Sequence, residues 1–309
     1  MTNNKIFLNL LALITVIIWS TTFISSKILL NIFTPVEVMF FRFVIAYILL
    51  LIIHPKFHKV DSLKEEFMFL LSGITGGSLY FFTENSAVQI SQVSNVGLIV
   101  ATAPIITALL AHFFTNGEKL NRNLIYGFII AISGVFLVMF NGSFMLKLNP
   151  AGDILALCAA VSWSIYSITT KKFGGKYNHL YLTRKIFFYA LLTMLPLLCT
   201  SEFNFNINNL LTFNVILNLL FLGAIASSLC YVIWNFTVDK LGVIKTNNYI
   251  YLIPAFTLAF SIFILHEKIT IYSGLGALFI FLGVYVSENG VNLNIFSIHK
   301  NIFKSKNSY

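Results

Sequence analysis

The chain contains the same pattern twice. Residues 12–27 (ALITVIIWSTTFISSK) align with residues 156–171 (ALCAAVSWSIYSITTK), so that Trp19 falls on Trp163 and Lys27 on Lys171. Further pairs follow downstream in the same order: Ser78 with Ser228, Asn85 with Asn235, Pro104 with Pro254 and, after a one-residue slip, Glu118 with Glu267, Gly127 with Gly276 and Gly134 with Gly283. Because the matches extend over nearly half the chain, they indicate duplication of a whole folding unit.

The composition indicates that the duplicated unit folds in lipid. Hydrophobic residues make up 58% and charged residues 10% of the 309 positions, whereas a soluble protein of this length needs far more polar surface. The cysteines Cys158, Cys199 and Cys230 lie in apolar stretches, and their odd number favours buried thiols over disulfides or metal ligands. We expect neither a metal site nor a cofactor.

Ten stretches are long and apolar enough to cross a bilayer, which requires about 20 mostly apolar residues. They are residues 8–30, 35–54, 67–88, 93–115, 123–141, 150–170, 180–200, 212–236, 245–265 and 271–288. Five fall in each half, and a repeat with an odd number of spans must cross the membrane in the opposite sense from its partner. The prediction is therefore an all-α integral membrane protein. Its ten transmembrane helices form two inverted-topology five-helix repeats, residues 1–142 and 150–290, around a central cavity, followed by a basic cytoplasmic tail, residues 291–309.

The positive charges predict the orientation. Fifteen of the 20 lysines and arginines lie outside the ten stretches, and Lys245 is the first residue of one. Of these sixteen, fourteen are on the side of the N-terminus and only Lys147 and Lys268 are on the other side. Since short cytoplasmic loops are enriched in Lys and Arg, both termini are predicted to be cytoplasmic in a multi-pass protein of the cytoplasmic membrane. The net charge of +9 thus reflects topology and does not indicate a nucleic-acid partner.

Polar and aromatic side chains recur on one face of four of these stretches. In the first and sixth they follow the helical spacing i, i+3, i+7 at corresponding positions, and the third and eighth form a second matched pair. Packing between helices would explain any single one of these residues, but their recurrence in both halves favours a shared cavity. The candidate solute-binding residues are Trp19, Thr22, Ser26, Tyr80, Glu84, Trp163, Tyr166, Thr170, Tyr231 and Trp234.

Glu84 is the most informative single residue. A charged carboxylate within a span costs on the order of 3 kcal/mol, so it normally faces protein or water and marks a functional site. Its repeat partner is Trp234, and an acid opposite an aromatic ring suits an amine-bearing solute through charge and cation–π attraction. Two alternatives stay open for Glu84: proton coupling and an ion pair with Arg42.

Four charged residues, Lys27, Glu37, Arg42 and Glu84, fall in the outer third of their predicted spans. Charges of mixed sign at one depth can form a neutral outer gate, which breaks when the cavity opens outward. Snorkelling to the lipid headgroups is the alternative for Lys27 and Glu37.

Pro104 and Pro254 lie near the middle of the fourth and ninth stretches. Proline removes a helical hydrogen bond and clashes with the preceding turn, so each is predicted to kink its helix. The two kinks are candidate hinges, and static bends that widen a cavity are the alternative.

A family resemblance rests on the paired Trp19-Ser20 and Trp163-Ser164, the ENSAV run at residues 84–88, and the order Pro, Glu, Gly shared by the two halves. These features together resemble the drug/metabolite transporter (DMT) superfamily, specifically its ten-span EamA-type proteins with two EamA repeats, over roughly residues 8–290. The usual early Trp-Gly of that family is Trp19-Ser20 here. The resemblance implies a central cavity opened alternately to each side, and export of amino acids or related small metabolites.

The sequence thus predicts a secondary, alternating-access transporter that exports a small amine-bearing or aromatic metabolite. Its expected partners are the lipid bilayer, the solute and, as a candidate coupling ion, the proton. The sequence contains no Walker motif, so we expect no use of ATP. We also expect no enzyme: His266-Glu267 could begin a zincin motif, but Thr270 occupies the position of its second histidine. A channel, a lipid-flipping protein and an uptake carrier of the same fold are the alternatives.

Overall fold

The computed structural model describes residues 2–91, 93–140, 149–200, 210–265 and 270–289, and all regular structure within these ranges is helical. Each stretch predicted to span the membrane coincides with a helix or with consecutive helical segments. The helices are α1 (Thr2–Leu30), α2 (Pro35–Ile53), α3 (Leu63–Gly73), α4 (Leu79–Ile90), α5 (Val93–Val100), α6 (Ala103–Phe114), α7 (Arg122–Phe140), α8 (Pro150–Lys172), α9 (His179–Thr200), α10 (Phe213–Leu220), α11 (Cys230–Leu241), α12 (Val243–Asn248), α13 (Leu252–Leu265) and α14 (Ile271–Asn289).

Two π-helical segments, which the sequence did not predict, lie at matching places in the two halves. The first, Ile74–Ser78, joins α3 to α4 without a break, and the second, Phe221–Leu229, joins α10 to α11. They correspond in the alignment that pairs Ser78 with Ser228. A π segment shifts the backbone hydrogen bonding locally and leaves carbonyl oxygens for other donors, which is why such segments often occur at functional sites.

The two matched prolines follow interruptions of the helices. Pro104 lies in the first turn of α6, just after a turn at Ala101 and Thr102, and Pro254 is the third residue of α13, just after the 3-10 segment Tyr249–Tyr251. A proline ring clashes with the carbonyl group four residues earlier, and those residues are Val100, where α5 ends, and Ile250, within the 3-10 segment. The α-helix is thus interrupted by a turn before Pro104 and by a 3-10 segment before Pro254. Their role as hinges stays a prediction.

Helix lengths and surfaces identify a membrane protein. Among the residues that the structure describes, five helices are long and apolar enough to cross a bilayer: Lys5–Leu30, Pro35–Ile53, Pro150–Lys172, His179–Cys199 and Phe213–Leu241. Large apolar side chains such as Ile52, Phe113 and Ile271 are more than two-thirds exposed, which is unfavourable in water and normal in lipid. All three cysteines are free, but Cys158 and Cys199 are exposed. The prediction of buried thiols was wrong for these two because apolar stretches here also face outward, toward lipid.

Helices α7 and α14 pack closely through glycines. A Cβ atom on Gly134 would lie 2.6 Å from the carbonyl oxygen of Gly276, and a Cβ on Gly276 would lie 2.6 Å from the carbonyl oxygen of Gly134. Likewise, a Cβ on Gly127 would lie 2.7 Å from the carbonyl oxygen of Gly283. Small residues allow this approach between apolar helices. The four glycines are those that the repeat alignment pairs.

One end of the bundle collects basic residues and is called the basic end below. It comprises the loops at residues 54–62, 115–121 and 173–178 together with Gly242, between α11 and α12. The Lys172 ammonium lies 5.6 Å from the centre of the Phe114 ring, and Lys171 Nζ donates to the carbonyl oxygen of Asp239 at 2.9 Å. These contacts hold the ends of α6, α8 and α11 together.

Candidate functional site

Six of the ten predicted solute-binding residues meet in one aromatic cluster. Trp19 of α1 lies 5.4 Å from Trp163 of α8 and 4.9 Å from Trp234 of α11, measured between ring centres. Trp163 in turn lies 5.9 Å from Tyr231. We define the aromatic cluster as Trp19, Tyr80, Trp163, Tyr166, Tyr231 and Trp234, which come from both halves of the chain.

The two π segments hold rings of the cluster across the halves. Trp19 Nε1 donates to the carbonyl oxygen of Ala226 at 3.0 Å, and the Tyr231 hydroxyl donates to the carbonyl oxygen of Gly76, also at 3.0 Å. Gly76 and Ala226 occupy equivalent positions in the two π segments. Each half therefore offers a backbone acceptor, which its own helix leaves available, to an aromatic donor of the other half.

Two asparagines orient the rings of α8. Trp163 Nε1 donates to Asn247 Oδ1 at 2.9 Å, and the Tyr166 hydroxyl donates to Asn235 Oδ1 at 2.8 Å. Asn235 Nδ2 donates onward to the Thr183 hydroxyl at 3.0 Å and so joins α9 to the cluster. Sequence reasoning missed Asn247. The adjacent pair Asn247-Asn248, inside a stretch predicted to span the membrane, is a signal that could have found it, since such polar groups are costly in lipid.

Trp234 differs from the other tryptophans. Its side chain is fully buried, and its indole N–H has no hydrogen-bond partner within the described part of the chain. An unsatisfied buried donor costs about 1–3 kcal/mol. This donor is therefore available to an acceptor that enters the cluster.

Glu84 lies at the edge of the aromatic cluster. Its Oε1 accepts a hydrogen bond of 2.8 Å from the Tyr80 hydroxyl, and the Tyr80 ring lies 5.4 Å from that of Trp163. Glu84, Tyr80 and Trp19 are half-buried, whereas the other rings of the cluster are buried. The carboxylate thus belongs to the more accessible side of the cluster.

Arg42 is buried beside this edge, but its direct contacts are with other residues. Its Nε donates to the Ser227 hydroxyl at 2.9 Å, and its guanidinium lies 4.3 Å from the centre of the Phe81 ring. Over the ranges that the structure describes, no ion pair within 4.0 Å links Arg42 to Glu84. The two charges attract each other only at longer range.

The remaining predicted residues lie outside the cluster. The hydroxyls of Thr22 and Thr170 donate to carbonyl oxygens of their own helices, on Trp19 and Tyr166, while Ser26 is half-buried further along α1. Glu37 accepts hydrogen bonds from Thr34 and completes a capping box that begins α2. The side chain of Lys27 lies outside the described part of the structure. A gate formed by Lys27, Glu37, Arg42 and Glu84 stays a prediction.

A bundle of apolar helices that encloses an aromatic and polar cluster between its halves defines a multi-pass α-helical membrane protein with an internal site. The EamA-like transporter family matches residues 6–140 and again residues 150–288, so the chain belongs to the EamA-like transporter family. The family resemblance inferred from the sequence is confirmed.

Similar proteins cover nearly the whole chain. An uncharacterized transporter of Archaeoglobus fulgidus is 27% identical over 90% of this chain and 96% of its own length. A probable amino-acid metabolite efflux pump of Escherichia coli is 26% identical over 91% and 94%, and a probable terminal-alkyne amino-acid exporter of Streptantibioticus cattleyicolor is 26% identical over 78% and 80%. A solved crystal structure, 15% identical, superposes with a TM-score of 0.76 over 91% of this chain and 96% of its own, which shows a shared fold. Family and relatives are transporters, which fits the expectation of a non-enzyme.

Proposed function

We propose that this transporter works by alternating access and moves a small amine-bearing or aromatic metabolite out across the cytoplasmic membrane without ATP. The observation that supports this most directly is the aromatic cluster, built by both halves, with Glu84 at its edge. Aromatic faces attract an ammonium group by roughly 0.5–2 kcal/mol, and the carboxylate adds charge attraction. The indole N–H of Trp234 offers a donor for an acceptor group of the same solute.

Inverted repeats are the second part of the proposal. A two-fold axis that exchanges the halves would superpose Gly127 on Gly276 and Gly283 on Gly134. It would therefore relate the contact between Gly127 and Gly283 to an equivalent contact between Gly276 and Gly134. Both contacts are present between α7 and α14. The matched π segments, with their exchanged hydrogen bonds, support the same relation, which is the usual basis of alternating access in secondary carriers.

We infer further that the basic end faces the cytoplasm and is closed in this conformation. Acidic groups of the first half are bound there by donors of the second half: Lys176 Nζ lies 2.5 Å from Glu65 and 2.6 Å from Asp61, and Lys185 Nζ lies 2.7 Å from Glu66. Closure at the basic end, together with the partial exposure of Tyr80 and Glu84, is what an outward-facing or occluded state requires. Two of the similar proteins are named as a probable efflux pump and a probable exporter, which supports the outward direction.

Counterflow in proteoliposomes tests the function. We expect a labelled amino acid or amine to accumulate transiently when vesicles are preloaded with the same unlabelled solute, because a carrier exchanges faster than it returns empty. A panel of amino acids, amines and aromatic metabolites, ranked first by thermal shift, supplies the solutes. Flux without any stimulation by solute on the other side would indicate a channel and overturn the proposal.

The variant Glu84→Gln tests the site. Loss of a charged partner is expected to weaken solute binding about tenfold or more, because hydrogen bonds to charged groups contribute about 1.5–3 kcal/mol. Asp153→Asn makes the same chemical change at a carboxylate near Ser91, outside the cluster, and should leave affinity at the parental value. Parental affinity and pH dependence in Glu84→Gln would remove Glu84 from the binding and coupling roles.

A further inference from the structure

Glu118, in the loop between α6 and α7, binds the first turn of α12 in the other half. Its Oε1 accepts the backbone N–H of Val243 at 2.7 Å, and its Oε2 accepts the N–H of Ile244, also at 2.7 Å. Both amides would otherwise lack partners, since they begin a helix. A carboxylate is also the side chain that this positive helix end favours. The contact joins the two halves at the basic end.

Gly242 allows this contact. Its φ of +99° and ψ of 156° lie in a region that is almost exclusive to glycine, and they turn the chain so that α12 begins directly after α11. A Cβ atom on Gly242 would also lie 3.0 Å from Glu118 Oε1. The conformation and the missing side chain both serve the approach of Glu118, so the contact is a built feature of this junction.

The other end of α12 reaches the aromatic cluster. Asn247, one helical turn after Val243, accepts hydrogen bonds from Trp163 Nε1 at 2.9 Å and from the Ser167 hydroxyl at 3.3 Å. The 3-10 segment Tyr249–Tyr251 then separates α12 from α13. Thus α12 is a short segment with Gly242 on one side and a 3-10 segment on the other. It is held by Glu118 at the basic end, by Trp163 and Ser167 of α8, and by the Ser287 hydroxyl of α14, which accepts from Asn248 Nδ2 at 3.0 Å.

We propose that α12 is a moving latch that couples the aromatic cluster to the opening of the basic end. The inference rests on the proposed alternating-access function. On passage to the state that is open at the basic end, Asn247 releases Trp163 and keeps only the longer hydrogen bond from Ser167. Helix α12 then turns about Gly242 and the 3-10 segment, and the amides of Val243 and Ile244 leave Glu118. Glu118 and Asn247 act here as positioning residues. The basic end opens when these two contacts are released together with the ion pairs of Lys176 and Lys185.

Thiol accessibility tests the latch. Thr246 lies on α12 and is fully buried, so Thr246→Cys, in a chain whose three native cysteines are replaced by alanine, reports when α12 moves. The labelling rate is measured with a membrane-impermeant maleimide on inside-out vesicles. We expect Glu118→Gln to raise the rate about tenfold, because the amide keeps an acceptor oxygen but loses the charge assistance. Lys119→Gln, which removes the neighbouring exposed charge, should label at the parental rate.

Asn247→Ala tests the coupling separately, and it should also raise the rate although Glu118 is intact. A parental rate in Glu118→Gln overturns the latch, and a parental rate in Asn247→Ala overturns its link to the cluster. If Glu118→Gln fails to fold, Glu118→Asp keeps the charge with a shorter reach, and a parental rate there overturns the latch equally. If the parent chain shows counterflow but the variants are labelled at the parental rate, the latch alone is refuted. If the parent chain shows no counterflow, the proposed function is refuted.

Discussion

Single polar side chains in this bundle depend on partners from the other half. Arg42 shows this best, because its charge is buried among apolar helices and its Nε binds Ser227, 185 residues away. The Phe81 ring covers the guanidinium, and cation–π contacts of this kind contribute up to about 2 kcal/mol when desolvated. A guanidinium can be held in this way without an ion pair, as long as its donors are bound.

Ser227→Ala should therefore destabilise the protein. Loss of the hydroxyl leaves a buried donor of Arg42 unpaired, which costs about 1–3 kcal/mol, and the melting temperature in detergent should fall accordingly. Ser228→Ala is the matched control, since Ser228 is equally buried and the structure gives it no contact with Arg42. Equal melting temperatures for the two variants would show that Ser227 does not hold Arg42.

Among the elements, the loop between α8 and α9 binds the first half at the basic end through Lys176, which pairs with Asp61 and Glu65. Hydrogen bonds to Asp61 and Glu65 raise the pKa of Lys176 above its ordinary 10.5. The hydrogen bond from Lys176, followed by that from the Tyr177 hydroxyl, holds the pKa of Glu65 below its ordinary 4.5. The contribution of Lys176 to the free energy of unfolding is thus complete below pH 10.5 and is lost as the pH rises above it. The contribution of Glu65 is complete above pH 4.5 and is lost as the pH falls below that value.

Replacement of Lys176 by methionine should therefore lower the melting temperature by an amount that is constant from about pH 6 to about pH 9. Below pH 4.5 the difference from the parent should shrink, because Glu65 becomes protonated in the parent as well. Lys64→Met, at an exposed lysine of α3, should show no such pH-dependent difference. A difference that persists undiminished at pH 4 would contradict the assigned pairing.

For the whole molecule, the proposed orientation places the loop between α2 and α3 in the cytoplasm and the segment between α9 and α10 outside. Lys59 and Leu211 are exposed in these two connections. A cysteine at position 59 should react with an impermeant maleimide in inside-out vesicles and be protected in intact cells, and a cysteine at position 211 should behave in the opposite way. Reaction of both from one side would rule out the proposed topology.

The sequence alone indicated that the chain folds in lipid, that its folding unit is duplicated and helical, and which family it belongs to. It also pointed to the six residues of the aromatic cluster. These properties depend on local patterns: apolar runs that match the bilayer thickness, and a helical period that places Trp163 and Tyr166 on one face. The repeat alignment added the expectation that the polar and aromatic stripes of both halves share one cavity. The inverted arrangement and the cytoplasmic termini stay proposals.

The tertiary structure decided which atoms bind each other. The partners of Trp19, Arg42 and Glu118 lie 207, 185 and 125 residues away, and they depend on how the helices are rotated against each other. For Trp19 the partner is a carbonyl oxygen of a π segment. Residue spacing along one helix contains no information on these distances or rotations. Asn247 is one of four consecutive polar residues, 245–248, and only packing against α8 makes it the partner of Trp163.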